Sequence, residues 1–76
     1  EFVILFPETT EEIAEIICNK LREGIESMSH LVAGNITASF GITQCKKSDT
    51  IDGMFNRCDE ALYMAKENGR NMVCVK

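Results

Sequence analysis

The sequence has no basic stripe, no long apolar run, and no pair of cysteines spaced Cys-x-x-Cys. Its formal charge is −4, with acidic and basic residues interspersed. The concentrated positive field that phosphate-backbone binding needs is therefore missing, which argues against a DNA or RNA reader. No apolar stretch approaches the ~20 residues that cross a bilayer, and no secretory leader pattern opens the chain, so this segment is predicted to make no membrane contact. The four cysteines, Cys18, Cys45, Cys58 and Cys74, are irregularly spaced, which speaks against a zinc site. Three of them stand where an apolar residue is expected and read as small core side chains in a reducing compartment such as the cytoplasm. The single histidine, His30, has no cysteine or carboxylate at ligand spacing and reads as a surface residue. No linker, repeat or low-complexity tract divides the chain.

What is present suffices for one small domain. Of the 76 residues, 45% are apolar, which favours a packed core over disorder. A chain this short buries only roughly 60% of its unfolded surface, so its stability is expected to be marginal.

Hydrophobic periodicity sets out five elements. Residues 2–6 form an almost continuous apolar run closed by Pro7, the pattern of a strand covered on both faces. Thr9 and Glu12 then have the spacing of a capping box. Ile13, Ile16, Ile17, Leu21, Ile25 and Met28 follow at helical spacing, predicting an amphipathic helix over about residues 10–28 with that stripe on a sheet. Residues 30–33 and 36–42 flank Gly34-Asn35 and read as a hairpin with a type II′ turn. After a polar loop, a second helix should start near Asp49 or Thr50. Its stripe is Ile51, Met54, Phe55, Cys58, Ala61 or Leu62, and Ala65, and it should stop at Asn68-Gly69. Residues 71–75 close as a strand. The order strand, helix, hairpin, helix, strand is an α+β pattern with both helices on one side of a sheet. The first residue already lies inside the first strand, so the chain reads as cut, not begun.

Few residues are candidates for chemistry. Lys66 and Arg70 stand four apart across the end of the second helix. Such a pair compensates the helix dipole, worth about 0.3–1 kcal/mol each, or clamps phosphate oxygens, with Arg as a fork and Lys as a point charge. Glu1 offers a carboxylate at the start of the first strand, the kind of ligand Mg²⁺ takes together with substrate phosphates. Asp59 on the second helix reads as an exposed or hydrogen-bonded charge, and Tyr63 as a packed ring with a free or hydrogen-bonded hydroxyl.

Three ordered stretches together resemble the GGDEF (diguanylate cyclase) family along essentially the whole chain. Glu1-Phe2 looks like the last two letters of the family signature, followed by its apolar strand. Thr37-Ala38-Ser39-Phe40-Gly41-Ile42-Thr43 is similar to the strand with an S-x-G-I core. Ala61-Leu62-Tyr63-x-Ala65-Lys66-x-x-Gly69-Arg70-Asn71 is similar to the late A-L-Y-x-A-K-x-x-G-R-N motif, which is long and specific.

The resemblance implies that residues 1–76 are the C-terminal part of a single GGDEF domain with a palm-like, ferredoxin-like sheet. It implies an enzyme that condenses two GTP to cyclic di-GMP with release of pyrophosphate, as a homodimer behind an N-terminal sensory domain. Lys66 and Arg70 would hold the triphosphate. Glu1 would be the fourth signature position, a catalytic residue and ligand at the edge of a Mg²⁺ or Mn²⁺ site. The Gly-Gly-acid part of the signature, a further metal-binding Asp, the guanine contacts and an inhibitory R-x-x-D site would precede residue 1, so the piece alone is expected to be inactive. Uncovered sheet near residues 2–6 would favour self-association. Two other readings use the same residues: a degenerate GGDEF domain that binds GTP or cyclic di-GMP or mediates dimer contacts, and a small α+β interaction module that recruits a partner strand.

Overall fold

The computed structural model of the chain describes residues 1–32 and 34–76, with 30–32 described by their backbone alone. Four elements follow in order: α1 (Glu11–Val32), β1 (Phe40–Ile42), α2 (Ile51–Glu67) and β2 (Val73–Val75). The α+β class expected from the pattern is the class observed. The detailed order differs, because among the described residues neither the opening strand nor the hairpin forms.

The first helix begins where the hydroxyl of Thr10 accepts the backbone N–H of Ile13 at 3.3 Å, so Thr10 takes the capping role expected of Thr9. The Thr9 hydroxyl instead donates back to the carbonyl of Pro7. Glu11 and Glu12 in the first turn complement the helix dipole. The helix runs four residues beyond Met28. Ser29 is buried and donates its hydroxyl to the Glu26 carbonyl at 2.8 Å, a local bond that suits a helical turn. The backbone at 30–32 is therefore helical and not the first arm of a hairpin, and Ala33 lies outside the described residues. Gly34, expected at a hairpin turn, sits just past the helix with φ of 88°, a conformation glycine adopts without steric cost.

β1 and β2 pair in parallel, with Phe40 beside Val73, Gly41 beside Cys74 and Ile42 beside Val75. Main-chain bonds from Phe40 N–H to Met72 and from Lys76 N–H to Ile42, each 2.9 Å, extend the ladder. Parallel neighbours need a crossover, and α2 supplies it. Alternation along the strands puts Phe40, Ile42, Val73 and Val75 on one face, where they gather with Ala14 and Cys18 of α1. α2 lies over the other face, against Gly41. The helices thus sandwich the sheet, correcting the expectation that both lie on one side.

The buried face of α1 is also offset by one position. Ala14 and Cys18 are buried, whereas Ile13, Ile16, Leu21, Ile25 and Met28 are substantially exposed. Two strands of three residues offer a narrow footprint. The helix meets it through small side chains, and the large ones flank the contact. Residues 2–6 carry exposed Phe2, Val3, Ile4 and Leu5 with no strand partner among the described residues. A lone extended segment without a neighbouring strand has no ladder to join, and its exposed backbone is left to water. Phe6 alone of this run packs on the core.

α2 follows its sequence cues closely. Thr50 is the N-cap, its side chain accepting Gly53 N–H at 3.0 Å, and Asn68 is the C-cap. Ala61 and Ala65 are fully buried, while Ile51 and Phe55 of the expected stripe are exposed. Arg57 locks the preceding loop. Its guanidinium forks onto Asp49 at 3.0 and 2.7 Å, reaches the Gln44 carbonyl at 2.9 Å and also bonds the Thr43 hydroxyl. Asp49 accepts the Lys46 N–H as well, at 2.7 Å. The Arg57 bonds first, then the Lys46 backbone, pull the Asp49 carboxyl down to about 2.

At Gly41 the strand and α2 meet with no room for a side chain. A Cβ there would stand 2.6 Å from the Cys58 carbonyl oxygen and 2.7 Å from Leu62 Cα, and would also collide with the Leu62 nitrogen. All three are helix backbone and cannot turn aside. Gly41→Ala is expected to cost about 1–3 kcal/mol, the usual penalty of overpacking, read as a lower urea midpoint. An unchanged midpoint would contradict this packing.

Candidate functional site

The C-terminal end of α2 gathers the residues singled out for chemistry. Lys66 is in the last helical turn. Beyond the Asn68 cap the chain turns through three successive left-handed residues, Gly69 at φ 119°, Arg70 at 64° and Asn71 at 49°. The Arg70 N–H bonds the Ala65 carbonyl at 2.9 Å. This is the six-to-one bond of a Schellman cap, which glycine after the cap makes possible. Lys66 and Arg70 are both exposed.

Glu1, at the other end of the chain, meets this helix. Its Oε2 lies 3.6 Å from Lys66 Nζ. Glu1, Asp59, Leu62, Tyr63 and Lys66 line a hollow of about 210 Å³. The structure therefore brings Glu1 and Lys66 together and adds Asp59, which lies two helical turns before Lys66 on the same face of α2. Arg70 lies one turn further on and does not line the hollow. The Tyr63 hydroxyl donates to the Glu67 carboxylate, a bond that chiefly holds the exposed phenol above its ordinary pKa. A larger trough of about 580 Å³ separates residues 2–6 from β1 and α2, with Phe2, Ile4, Phe40, Ile42 and Cys58 among its walls.

Two carboxylates, Glu1 and Asp59, face the small hollow. Among the described residues no group of three or more His, Cys, Asp or Glu side chains is arranged to hold a metal ion. By themselves these two carboxylates do not make up a metal ligand set. The cysteines are all free. Burial, followed by the neighbouring Cys58, raises the Cys18 thiol, and burial chiefly raises that of Cys58, so both favour the unreactive thiol form. The side chain of His30 lies outside the described residues. No helix among the described residues is long and apolar enough to cross a membrane.

Two residues matter here that their sequence positions do not announce. Arg57 finds partners at positions 43, 44 and 49, a spacing with no periodic signal. Asn71 stands out in the sequence only as the last letter of a motif. Its side chain accepts from Arg22 Nη1 and donates to Glu26 Oε2, both at 3.1 Å, and its N–H bonds Ser39 Oγ at 3.1 Å. The Arg22 and Glu26 pair, four apart on α1, is the part of this network that charge patterning could have flagged.

This architecture defines an α+β chain whose second helix ends in a glycine turn flanked by cations. The family profile described as "Diguanylate cyclase, GGDEF domain" matches residues 1–72. The chain belongs to the GGDEF family. It is similar to the diguanylate cyclase DgcM of Escherichia coli K12, with 36% identity over 73 residues covering 96% of this chain and 18% of DgcM. It is similar to the diguanylate cyclase VdcA of Vibrio cholerae, with 34% identity over 79 residues covering 96% of this chain and 23% of VdcA. The response regulator PleD of Caulobacter vibrioides is 33% identical over 82 residues, covering all of this chain and 18% of PleD. The chain thus spans about a fifth of the length of these relatives. No solved structure matches it.

The Glu1–Lys66 pair is exposed, with 69% and 40% of the side chains accessible, and exposed pairs add little to stability. Lys66→Met is therefore expected to shift the unfolding free energy by less than about 0.5 kcal/mol. A large drop in stability on chemical denaturation would mean that Lys66 is structural and not held in reserve for a ligand.

Proposed function

We propose that residues 1–76 form the C-terminal part of one GGDEF domain, and that the complete domain is a diguanylate cyclase. It condenses two GTP molecules to cyclic di-GMP and releases two pyrophosphates, working as a homodimer in the cytoplasm under an upstream sensory domain. The observation that carries this reading is the family match over residues 1–72, together with the cationic helix exit at its end.

Lys66 and Arg70 take the triphosphate. Lys66 acts as a mobile point charge at the last turn of α2, and Arg70 as a planar fork from the glycine turn. Glu1 lies 3.6 Å from Lys66, so a phosphate bound at Lys66 would take the place of one anionic partner. Glu1 would contribute one carboxylate to a Mg²⁺ or Mn²⁺, which would supply the charge balance that phosphate chemistry needs. The remaining ligands come from outside residues 1–76, and this piece alone makes no cyclic di-GMP.

Lys66→Ala and Arg70→Ala in the full-length protein carrying this chain test the reading. Each is expected to weaken GTP binding about tenfold or more, the worth of one strong charge-assisted hydrogen bond, with cyclic di-GMP production falling at least in proportion. Unchanged GTP affinity in both variants would overturn it. GTP binding without turnover by the unmutated protein would point to a receptor or scaffold instead. Cyclic di-GMP formation by the isolated 76 residues would refute the division of the site.

A further inference from the structure

The turn at residues 69–71 is wound further than a helix stop requires. A Schellman cap needs one left-handed residue, and Gly69 supplies it. Arg70 and Asn71 are left-handed as well. Non-glycine residues in that region cost energy and persist only where their surroundings hold them, most often at functional sites. Arg70 has a side chain with no hydrogen bond or ion pair among the described residues. The restraint comes from Asn71.

Asn71 is tied on three sides. Its N–H bonds Ser39 Oγ just ahead of β1, its Oδ1 takes a bond from Arg22, and its Nδ2 gives one to Glu26. Arg22 is itself held by Asn19 Oδ1 at 3.2 Å and by Glu23 and Glu26. Arg22 is mostly covered, with 18% of its side chain accessible. One amide thus fastens α1, the entry to β1 and the exit of α2 at one point, directly after Arg70 in the chain. Asparagine suits the position, because it tolerates a left-handed backbone and offers both a donor and an acceptor.

We propose that Asn71 is a positioning residue for Arg70: anchored to Arg22, Glu26 and Ser39, it fixes the left-handed turn and so sets the direction in which Arg70 meets a phosphate. Holding the backbone in advance lowers the ordering cost of binding. It also gives α1 a mechanical route to the triphosphate, since Arg22 and Glu26 belong to that helix. The inference rests on the assignment of Lys66 and Arg70 to the triphosphate.

The test uses the full-length protein carrying this chain, with GTP and guanosine as probes in calorimetric titrations. Asn71→Ala is expected to weaken GTP about tenfold, the same order as removing one strong hydrogen bond to the phosphates, and to leave guanosine affinity unchanged. Asn71→Gly, which keeps the left-handed backbone but not the amide, is expected to behave like Asn71→Ala. Arg22→Ala, which removes one anchor and leaves the turn sequence intact, is expected to weaken GTP by a smaller factor, again without effect on guanosine. A merely structural role would lower the melting temperature and weaken both probes together, and that result would overturn the proposal. So would unchanged GTP affinity in Asn71→Ala and Arg22→Ala while Arg70→Ala weakens it. If Arg70→Ala and Lys66→Ala are themselves silent, the triphosphate assignment fails and the positioning role falls with it.

Discussion

The contact between Gly41 and the backbone of α2 is the constraint on which the remaining geometry depends. With no Cβ at position 41, the Cys58 carbonyl and the Leu62 main chain settle directly on β1, and the Cys58 thiol donates to the Gly41 carbonyl at 3.2 Å. Close approach lets Ala61 and Ala65 be fully buried with minimal side chains. The helix is then short of freedom to slide or roll, and its end falls at a defined place beside β2. A larger residue at 41 would lift the helix and move Lys66, Gly69 and Arg70 together.

Polar ties complete what this small core cannot. Only Ala14, Cys18, Ile42, Ala61 and Ala65 are buried apolar residues among those described, so burial alone leaves the loops underdetermined. Arg57 binds the loop between β1 and α2 to the first half of the helix, while Asn71 binds the loop after α2 to α1. Both are multidentate and link segments distant in sequence. The first holds the helix entry, the second its exit, and the cations lie at the exit.

The helices were legible because their cues are local. Thr50 as cap, Ala61 and Ala65 at helical spacing, and Asn68-Gly69 as stop need only a few neighbouring residues, and α2 follows them. The α+β class and the family were legible for the same reason, since the motif at residues 61–71 is contiguous. Features that depend on partners were not legible. The run 2–6 has strand composition, but forming a ladder takes a neighbour. The stripe of α1 is broad in sequence, whereas the width of the sheet selects Ala14 and Cys18. Residues 30–32 are β-compatible, yet the helix extends through them past a buried Ser29.

The site shows the same division. Lys66 and Arg70 stand out by spacing and family motif, and Glu1 by the motif alone. Their arrangement, with Glu1 against Lys66 and Arg70 set apart on a turn governed by Asn71, required tertiary structure. The most direct measurement of the proposed triphosphate site is a crystal structure of the full-length protein with a non-hydrolysable GTP analogue and Mg²⁺. The phosphates are expected within hydrogen-bonding distance of both Lys66 and Arg70, with the Glu1–Lys66 pair opened and the bonds of Asn71 unchanged. Phosphates bound elsewhere, with Glu1 still paired to Lys66, would contradict it.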